Sequence, residues 1–143
     1  MGKVSDILKT KGGATFSIAP GTIVFEALEM MVAKNVSALV VLENEKLVGI
    51  FTERDYARKV VLKGKTSKGT LIAEIMTGDM ITVTPDSTIE SCMRLMTNRF
   101  IRHLPVVVDD QLVGIISIGD VVKYIIEEQK FIIEHMEHYI TGG

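Results

Sequence analysis

The chain predicts a mixed α/β (α+β) fold made of two tandem repeats, each reading β-α-β-β-α, packed as a pseudo-twofold pair. Three observations lead there. Residues 18–60 align without a gap on residues 83–125, so that Pro20 falls on Pro85, Met31 on Met96, Leu39 on Leu104 and Val41 on Val106. A gapless internal repeat sets the architecture before any single motif is weighed. Each copy carries one apolar pattern of helical period followed by two short apolar runs. Finally, Leu47-Val48-Gly49-Ile50 recurs as Leu112-Val113-Gly114-Ile115, and Thr52-Glu53-Arg54-Asp55 as Ser117-Ile118-Gly119-Asp120. Whatever one copy binds has a potential twin site in the other.

The elements follow in order. Val4–Leu8 resembles Ile72–Met76, and each predicts a short lead-in helix before a first extended segment, Thr15–Ile18 or Met80–Val83. Thr22 and Ser87 have the side chains of helix N-caps. Beyond them Val24, Ala27, Leu28 and Met31, and then Ile89, Cys92, Met93 and Met96, recur at helical spacing. The β-rich runs are Ala38–Leu42 with Leu47–Phe51, and Leu104–Val108 with Leu112–Ile116. Glu43–Lys46 and Asp109–Gln111 between them are polar enough for hairpin turns. These runs are almost continuously apolar, which predicts a sheet covered on both faces. A second helix starts at Thr52 or Ser117. Lys63–Thr70, polar and glycine-containing, reads as the linker, so the division is 1–66 for the first repeat with its lead-in and 67–143 for the second. The last helix is expected from about Asp120 to Tyr139. Its stripe of Ile125, Ile132, Met136 and Ile140 exceeds what a half-domain needs to cover and points to a second chain.

Bulk properties exclude several classes. The chain has 143 residues, 47% of them hydrophobic and 24% charged, and a formal charge of −2 from 16 basic and 18 acidic residues. That is a soluble globular composition with no overall polybasic character. The start lacks the apolar stretch of a signal peptide, and no run reaches the roughly 18 apolar residues of a membrane span. A cytoplasmic location is expected. The one cysteine, Cys92, sits on a core stripe and needs no reactive role. The methionines Met30, Met31, Met93 and Met96 read as core filler. His135 and His138 are three apart, but neither a cysteine nor a third histidine joins them, and no metal site is assigned. With no nucleophile elbow, paired-histidine helix or Walker loop, an enzyme is not the leading reading.

The motif with chemistry is Gly49-Ile50-Phe51-Thr52-Glu53-Arg54-Asp55 and its echo Gly114–Asp120. A hydroxyl at a helix start with a carboxylate three residues on is close to a capping box. The same geometry serves a nucleotide: free N–H groups and the hydroxyl face a phosphate, and the carboxylate accepts both hydroxyls of a ribose. Arg54, Arg58, Lys59, Lys63, Lys65 and Lys68 form a basic stretch that reads first as a solvated helix face.

Order, spacing and motif together resemble a pair of CBS domains, of the cystathionine-β-synthase type and the stand-alone bacterial form. The resemblance covers nearly the whole chain. It rests most on the two Gly-h-h-Ser/Thr-x-x-Asp segments, on the lead-ins ending Asp6-Ile7-Leu8 and Glu74-Ile75-Met76-Thr77, and on Arg102-His103-Leu104-Pro105-Val106. It implies two clefts between sheet-packed repeats, a bound adenosine compound (AMP, ADP, ATP or NAD(H), or S-adenosylmethionine), a homodimer, and a regulatory rather than catalytic role with no catalytic cofactor. By resemblance Asp55 and Asp120 bind ribose, and Thr52 and Ser117 offer hydroxyls to phosphate. Arg102 and His103 place basic groups on the phosphates just before Leu104. Arg54 reaches a phosphate from the other repeat; within the basic stretch itself, Arg58 or Lys59 is a further candidate phosphate contact. Phe16, Ser17 and Ile18, with Ile81, Thr82 and Val83, supply backbone contacts to adenine. The first repeat has Ser37-Ala38-Leu39-Val40 where the second has Arg102-His103-Leu104-Pro105, so its site is expected to be the weaker one. The alternatives are an interaction module with empty clefts, or a nucleic-acid binder through Arg54–Lys68. The net charge and the absence of interleaved aromatics disfavour the latter.

Overall fold

A computed structural model describes residues 2–141; Met1 and residues 142–143, at the outer ends of the two expected halves, lie outside the described residues. In chain order the elements are α1 (Val4–Lys11), β1 (Ser17–Ile18), α2 (Val24–Lys34), β2 (Ala38–Glu43), β3 (Lys46–Thr52) and α3 (Glu53–Asp55), which runs on as a π-helical stretch over Tyr56–Val61. The second half holds α4 (Ile72–Ile75), α5 (Ile89–Arg99), β4 (His103–Val108), β5 (Gln111–Ser117) and α6 (Ile118–Thr141).

Each repeat is built on one hairpin. β2 pairs antiparallel with β3, and β4 with β5. Both turns use two residues of positive φ, Asn44 and Glu45 at 52° and 65°, and Asp109 and Asp110 at 48° and 64°. A turn of that hand matches strand twist, and Asn and Asp enter it at low cost. The register slips at the same place in both copies, after Val41 and after Val106.

The repeats differ at their first extended segment. β1 runs parallel to β2, whereas the expected strand Met80–Val83 gives a single parallel bridge from Val83 to Val106. Pro105 accounts for the difference. In the first repeat the Val40 N–H bonds the Phe16 carbonyl at 3.3 Å. Val40 and Phe16 correspond to Pro105 and Ile81, and a proline has no N–H to give. Among the described residues the Ile81 carbonyl therefore accepts no hydrogen bond.

The two cores exchange lead-in helices. The first gathers Val24, Ala27, Leu39, Phe51 and Val60 around Ile72 and Ile75 of α4. The second gathers Ile89, Cys92, Leu104, Ile116 and Val121 around Val4 and Ile7 of α1. Backbone bridges from Lys3 to Thr88 and from Ile23 to Leu71 fix the crossing. The repeated glycine of the Leu-Val-Gly-Ile segment makes room for it. A Cβ on Gly49 would stand 2.7 Å from the Met76 sulfur and 3.1 Å from the Thr77 carbonyl, and one on Gly114 2.8 Å from a Leu8 methyl.

Both expected caps shift by one residue. The residues at the helix starts are Ile23, which makes no side-chain cap bond, and Thr88, whose hydroxyl accepts from the Ser91 N–H at 3.1 Å. Ser87 instead accepts from the Thr84 N–H, closing the preceding turn. Met31 and Met96 are core residues as expected, but Met93 is exposed. Cys92 is fully buried, and desolvation raises its thiol pKa despite a bond with Ser91. α6 extends slightly beyond both expected ends, from Ile118 to Thr141.

Candidate functional site

The strand-to-helix corner at Thr52 places one carboxylate. Asp55 Oδ2 accepts from the Thr52 N–H at 2.9 Å and its hydroxyl at 3.1 Å, while the Asp55 N–H donates to Thr52 Oγ1 at 3.2 Å. The capping box expected from the spacing is thus complete. Two further groups engage Asp55 Oδ1: the Thr77 hydroxyl at 2.9 Å and the Lys59 ammonium at 3.0 Å. Lys59 also donates to the Ile75 carbonyl at 3.2 Å and contacts the Thr77 hydroxyl at 3.3 Å. Asp55 is 6% exposed, and both its oxygens have partners from the chain itself.

The twin corner is less occupied. Asp120 Oδ2 accepts from the Ser117 N–H at 2.8 Å and from Lys11 at 2.6 Å, and its N–H donates to Ser117 Oγ. Oδ1 has no protein partner among the described residues. Burial alone would raise this carboxyl's pKa. The hydrogen bonds and charge of Lys11, with the Ser117 backbone and hydroxyl, outweigh burial and hold it below the usual value. Lys11 also caps the Ile115 carbonyl at 2.8 Å, where the corresponding Ile50 carbonyl takes the Thr77 N–H at 2.9 Å.

Between the repeats lies a cleft of about 690 Å³. Thr52, Arg54, Asp55, Arg58, Lys59 and Thr77 line one side; Met80, Ile81, Arg99, Phe100, Arg102, His103 and Pro105 are among those lining the other. The first repeat's missing basic pair is therefore supplied by the second, because Arg102 and His103 share the cleft with Asp55. Arg58, Arg99 and Arg102 have no ion pair among the described residues. The Arg54 guanidinium donates to the Phe100 carbonyl, crossing between the repeats. His103 meets the Ser37 hydroxyl at 3.1 Å. Desolvation, then the charge of Lys11, depress its pKa; Asp120 opposes this and Arg102 adds to it. His103 thus lines the cleft with its neutral form favoured.

The remaining expected residues lie elsewhere. Ser117 and Asp120 form their own corner, and Phe16, Ser17 and Ile18 belong to β1 and its approach. Leu104 and Val83 are not among the residues that line the cleft. Their side chains are core, and both backbone groups of Val83 are engaged, to the Pro105 carbonyl and the Val107 N–H. Of the adenine-facing set on this side, Ile81 is the one lining the cleft. Thr77 and Lys11, which hold the two aspartates, carry no signal in the aligned repeat because the lead-ins align at a different offset. Phe100 gives none either, standing where the first repeat has Asn35.

The CBS domain family model matches residues 4–62 and 72–127. The mitochondrial CBS domain-containing protein CBSX3 of Arabidopsis thaliana is 40% identical over 98% of this chain and 72% of its own length. A solved CBS-domain protein of Burkholderia ambifaria is 42% identical, with a TM-score of 0.85 over 89% of this chain and 96% of that one. The CBS domain pair of protein MJ0100, solved in complex with 5′-methylthioadenosine and S-adenosyl-L-methionine, is 28% identical, with a TM-score of 0.78 over 88% of this chain and 97% of that one.

Proposed function

Because the chain belongs to the CBS-domain family, whose paired repeats are regulatory modules, we propose that it senses an adenosine-containing nucleotide (AMP, ADP, ATP or NAD(H)) in the cleft beside Asp55 and signals the result to a partner protein. One observation carries the reading. Arg54, Arg58, Lys59, Arg99 and Arg102 line this cleft against the carboxylates of Glu53, Asp55 and Asp79, in a chain whose net charge is −2. None of those four arginines has an ion-pair partner among the described residues, so an anion is the missing charge. The volume falls in the usual range of small-ligand sites, roughly 300–1,000 Å³. The apolar lining residues Ile50, Met80, Ile81 and Pro105 suit a base. That the MJ0100 pair holds adenosine derivatives supports the adenosine part. The positive surplus favours a phosphorylated ligand over S-adenosylmethionine, whose sulfonium is itself positive.

The same observation weakens the nucleic-acid reading. Arg54, Arg58 and Lys59, half of the basic stretch, line the cleft instead of forming a continuous outer face, and Lys68 lies over the Phe25 ring at 4.7 Å. No catalytic chemistry is assigned to the cleft. On this reading the module acts as a homodimer.

A thermal-shift series with AMP, ADP, ATP, NAD, NADH and S-adenosylmethionine tests the proposal. A ligand that binds only the folded state at 100 times its Kd adds about 2.7 kcal/mol of apparent stability. A rise in Tm with at least one phosphorylated ligand, confirmed by calorimetric titration, is expected. No shift with any of the six would overturn the reading and leave an interaction module with empty clefts.

A further inference from the structure

Phe100 stands in a conformation that its side chain disfavours. It ends α5 with φ 55° and ψ 41°, in the left-handed region, where a bulky residue is an outlier. The corresponding residue of the first repeat, Asn35, ends α2 with φ 54° and ψ 50°, and asparagine is a residue that tolerates this geometry. The fold needs the left-handed cap at both places; it does not need an aromatic ring at one of them. The ring is also 72% exposed, so burial does not explain it. Phe100 lines the large cleft and also an adjoining hollow of about 440 Å³, together with Arg54, Ile101 and Arg102. Its carbonyl is held from across the repeats by the Arg54 guanidinium.

We propose that Phe100 is the stacking platform for the base of the ligand. The cleft would then select a nucleotide bearing an aromatic base over a phosphosugar or a bare polyphosphate. The inference rests on the nucleotide reading above and deepens it. Strained residues persist where the surroundings hold them, and they cluster at ligand sites. A phenyl ring offers any base a π-face, and the guanidinium groups beside it attract the attached phosphate. Ile81 lines the same cleft, and its carbonyl, left without a ladder partner by Pro105, has acceptor capacity to spare.

Phe100→Asn, which installs the first repeat's residue, separates this role from a structural one. Calorimetric titration would use AMP as the base-bearing probe and ribose 5-phosphate as the baseless one. AMP affinity is expected to fall about 5- to 100-fold, the range of one base–aromatic stack. Ribose 5-phosphate affinity should stay within about twofold, and Tm should rise by roughly 3 °C as the strain is relieved. Phe100→Trp should restore AMP affinity. Equal AMP affinity in wild type and Phe100→Asn overturns the platform, as does an equal loss for both probes. A wild type that binds ribose 5-phosphate as tightly as AMP also overturns it while sparing the phosphate reading. If Phe100→Asn changes only the association state, the ring is an interface residue and the proposal fails. A wild type that binds neither probe overturns this inference, while the nucleotide reading stands or falls with the thermal-shift series.

Discussion

Asp55 and Asp120 hold the same place in the repeat and differ in what surrounds them. Asp55 has both oxygens engaged by Thr52, Thr77 and Lys59, whereas Asp120 keeps Oδ1 open. A ribose at Asp55 must displace Thr77 or Lys59; one at Asp120 need not displace Lys11. Asp120→Ala is therefore expected to weaken a site of its own, with a loss of about 1.5–3 kcal/mol, or one to two decades, for the ligand bound there. It also removes the cap partner of Ser117, so urea denaturation should show a stability loss of about 1 kcal/mol. Unchanged stoichiometry and affinity in a folded variant would sink the ribose role. At the other end of the ligand, Arg102→Ala should weaken AMP by roughly tenfold and leave adenosine nearly unchanged, since a guanidinium with no carboxylate partner acts on the phosphate alone. Equal losses for both would refute that assignment. The same residues set a pH response. His103 is depressed below its ordinary 6.5, so the unfolded chain takes up a proton there before the folded one does. Stability should fall as pH drops below about 6.5 and level off below the depressed folded value. His103→Gln should flatten that slope. Asp120, depressed below 3.8, contributes stability that is complete above that value and disappears only at lower pH, so the two slopes separate in an acid titration followed by circular dichroism.

The glycine of each Leu-Val-Gly-Ile segment is where one element meets another. In the first repeat the neighbour includes backbone: the Thr77 carbonyl accepts from the Ile50 N–H at 3.0 Å in the bridge that seats the chain after α4 against β3. Gly49→Ala therefore cannot be absorbed by the Met76 side chain alone. A cost of about 1–3 kcal/mol is expected, read as a lower urea midpoint at unchanged slope, with a weaker cleft because Thr77 moves off Asp55. Gly114→Ala meets only the flexible end of Leu8 and should cost less. If the two variants are equally stable, close approach is not the reason for the glycines. This crossing also marks the limit of what the sequence made legible. The four long strands, the two hairpin turns and the corners at Thr52 and Ser117 follow from local pattern and from the repeat, and they appear where the pattern places them. Which core each lead-in completes does not follow. Val4 and Ile7 have the apolarity of a core helix but nothing in their spacing says whose core. The cleft was legible residue by residue and not as an assembly. Arg102 and His103 belong to the second repeat in sequence and stand beside Asp55 of the first, because the pairing is decided by how the repeats face each other.

At the scale of the molecule, α6 is the element that the domain does not complete. Val121 is buried and Ile125 packs against the second core, so the first turns of the helix belong to the repeat. The helix has 24 residues, about 36 Å, and runs on past them. Ile126, Ile132, Ile133, Met136 and Ile140 are 43–78% exposed along that run. Their order is not random: Ile126, Ile133 and Ile140 recur every seven residues, with Val122, Gln129 and Met136 between them at coiled-coil spacing. A twofold pair of such helices covers the stripe with a single self-complementary surface, and the polar Gln129 fixes its register. The chain is accordingly expected to sediment as a dimer at micromolar concentration. Ile133→Glu with Met136→Glu should make it monomeric without lowering the Tm of the repeat cores, since neither residue touches a core. A wild-type monomer would remove the helix from the account of signalling, and a dimer that survives the double substitution would place the interface elsewhere. If the dimer forms as expected, saturating AMP should change amide exchange in α6. A ligand shifts an association only by binding its two states differently, and α6 begins at the Ser117–Asp120 corner, the twin of the corner that lines the cleft. Exchange in α6 that is identical with and without AMP would leave the dimer intact and break its link to the site.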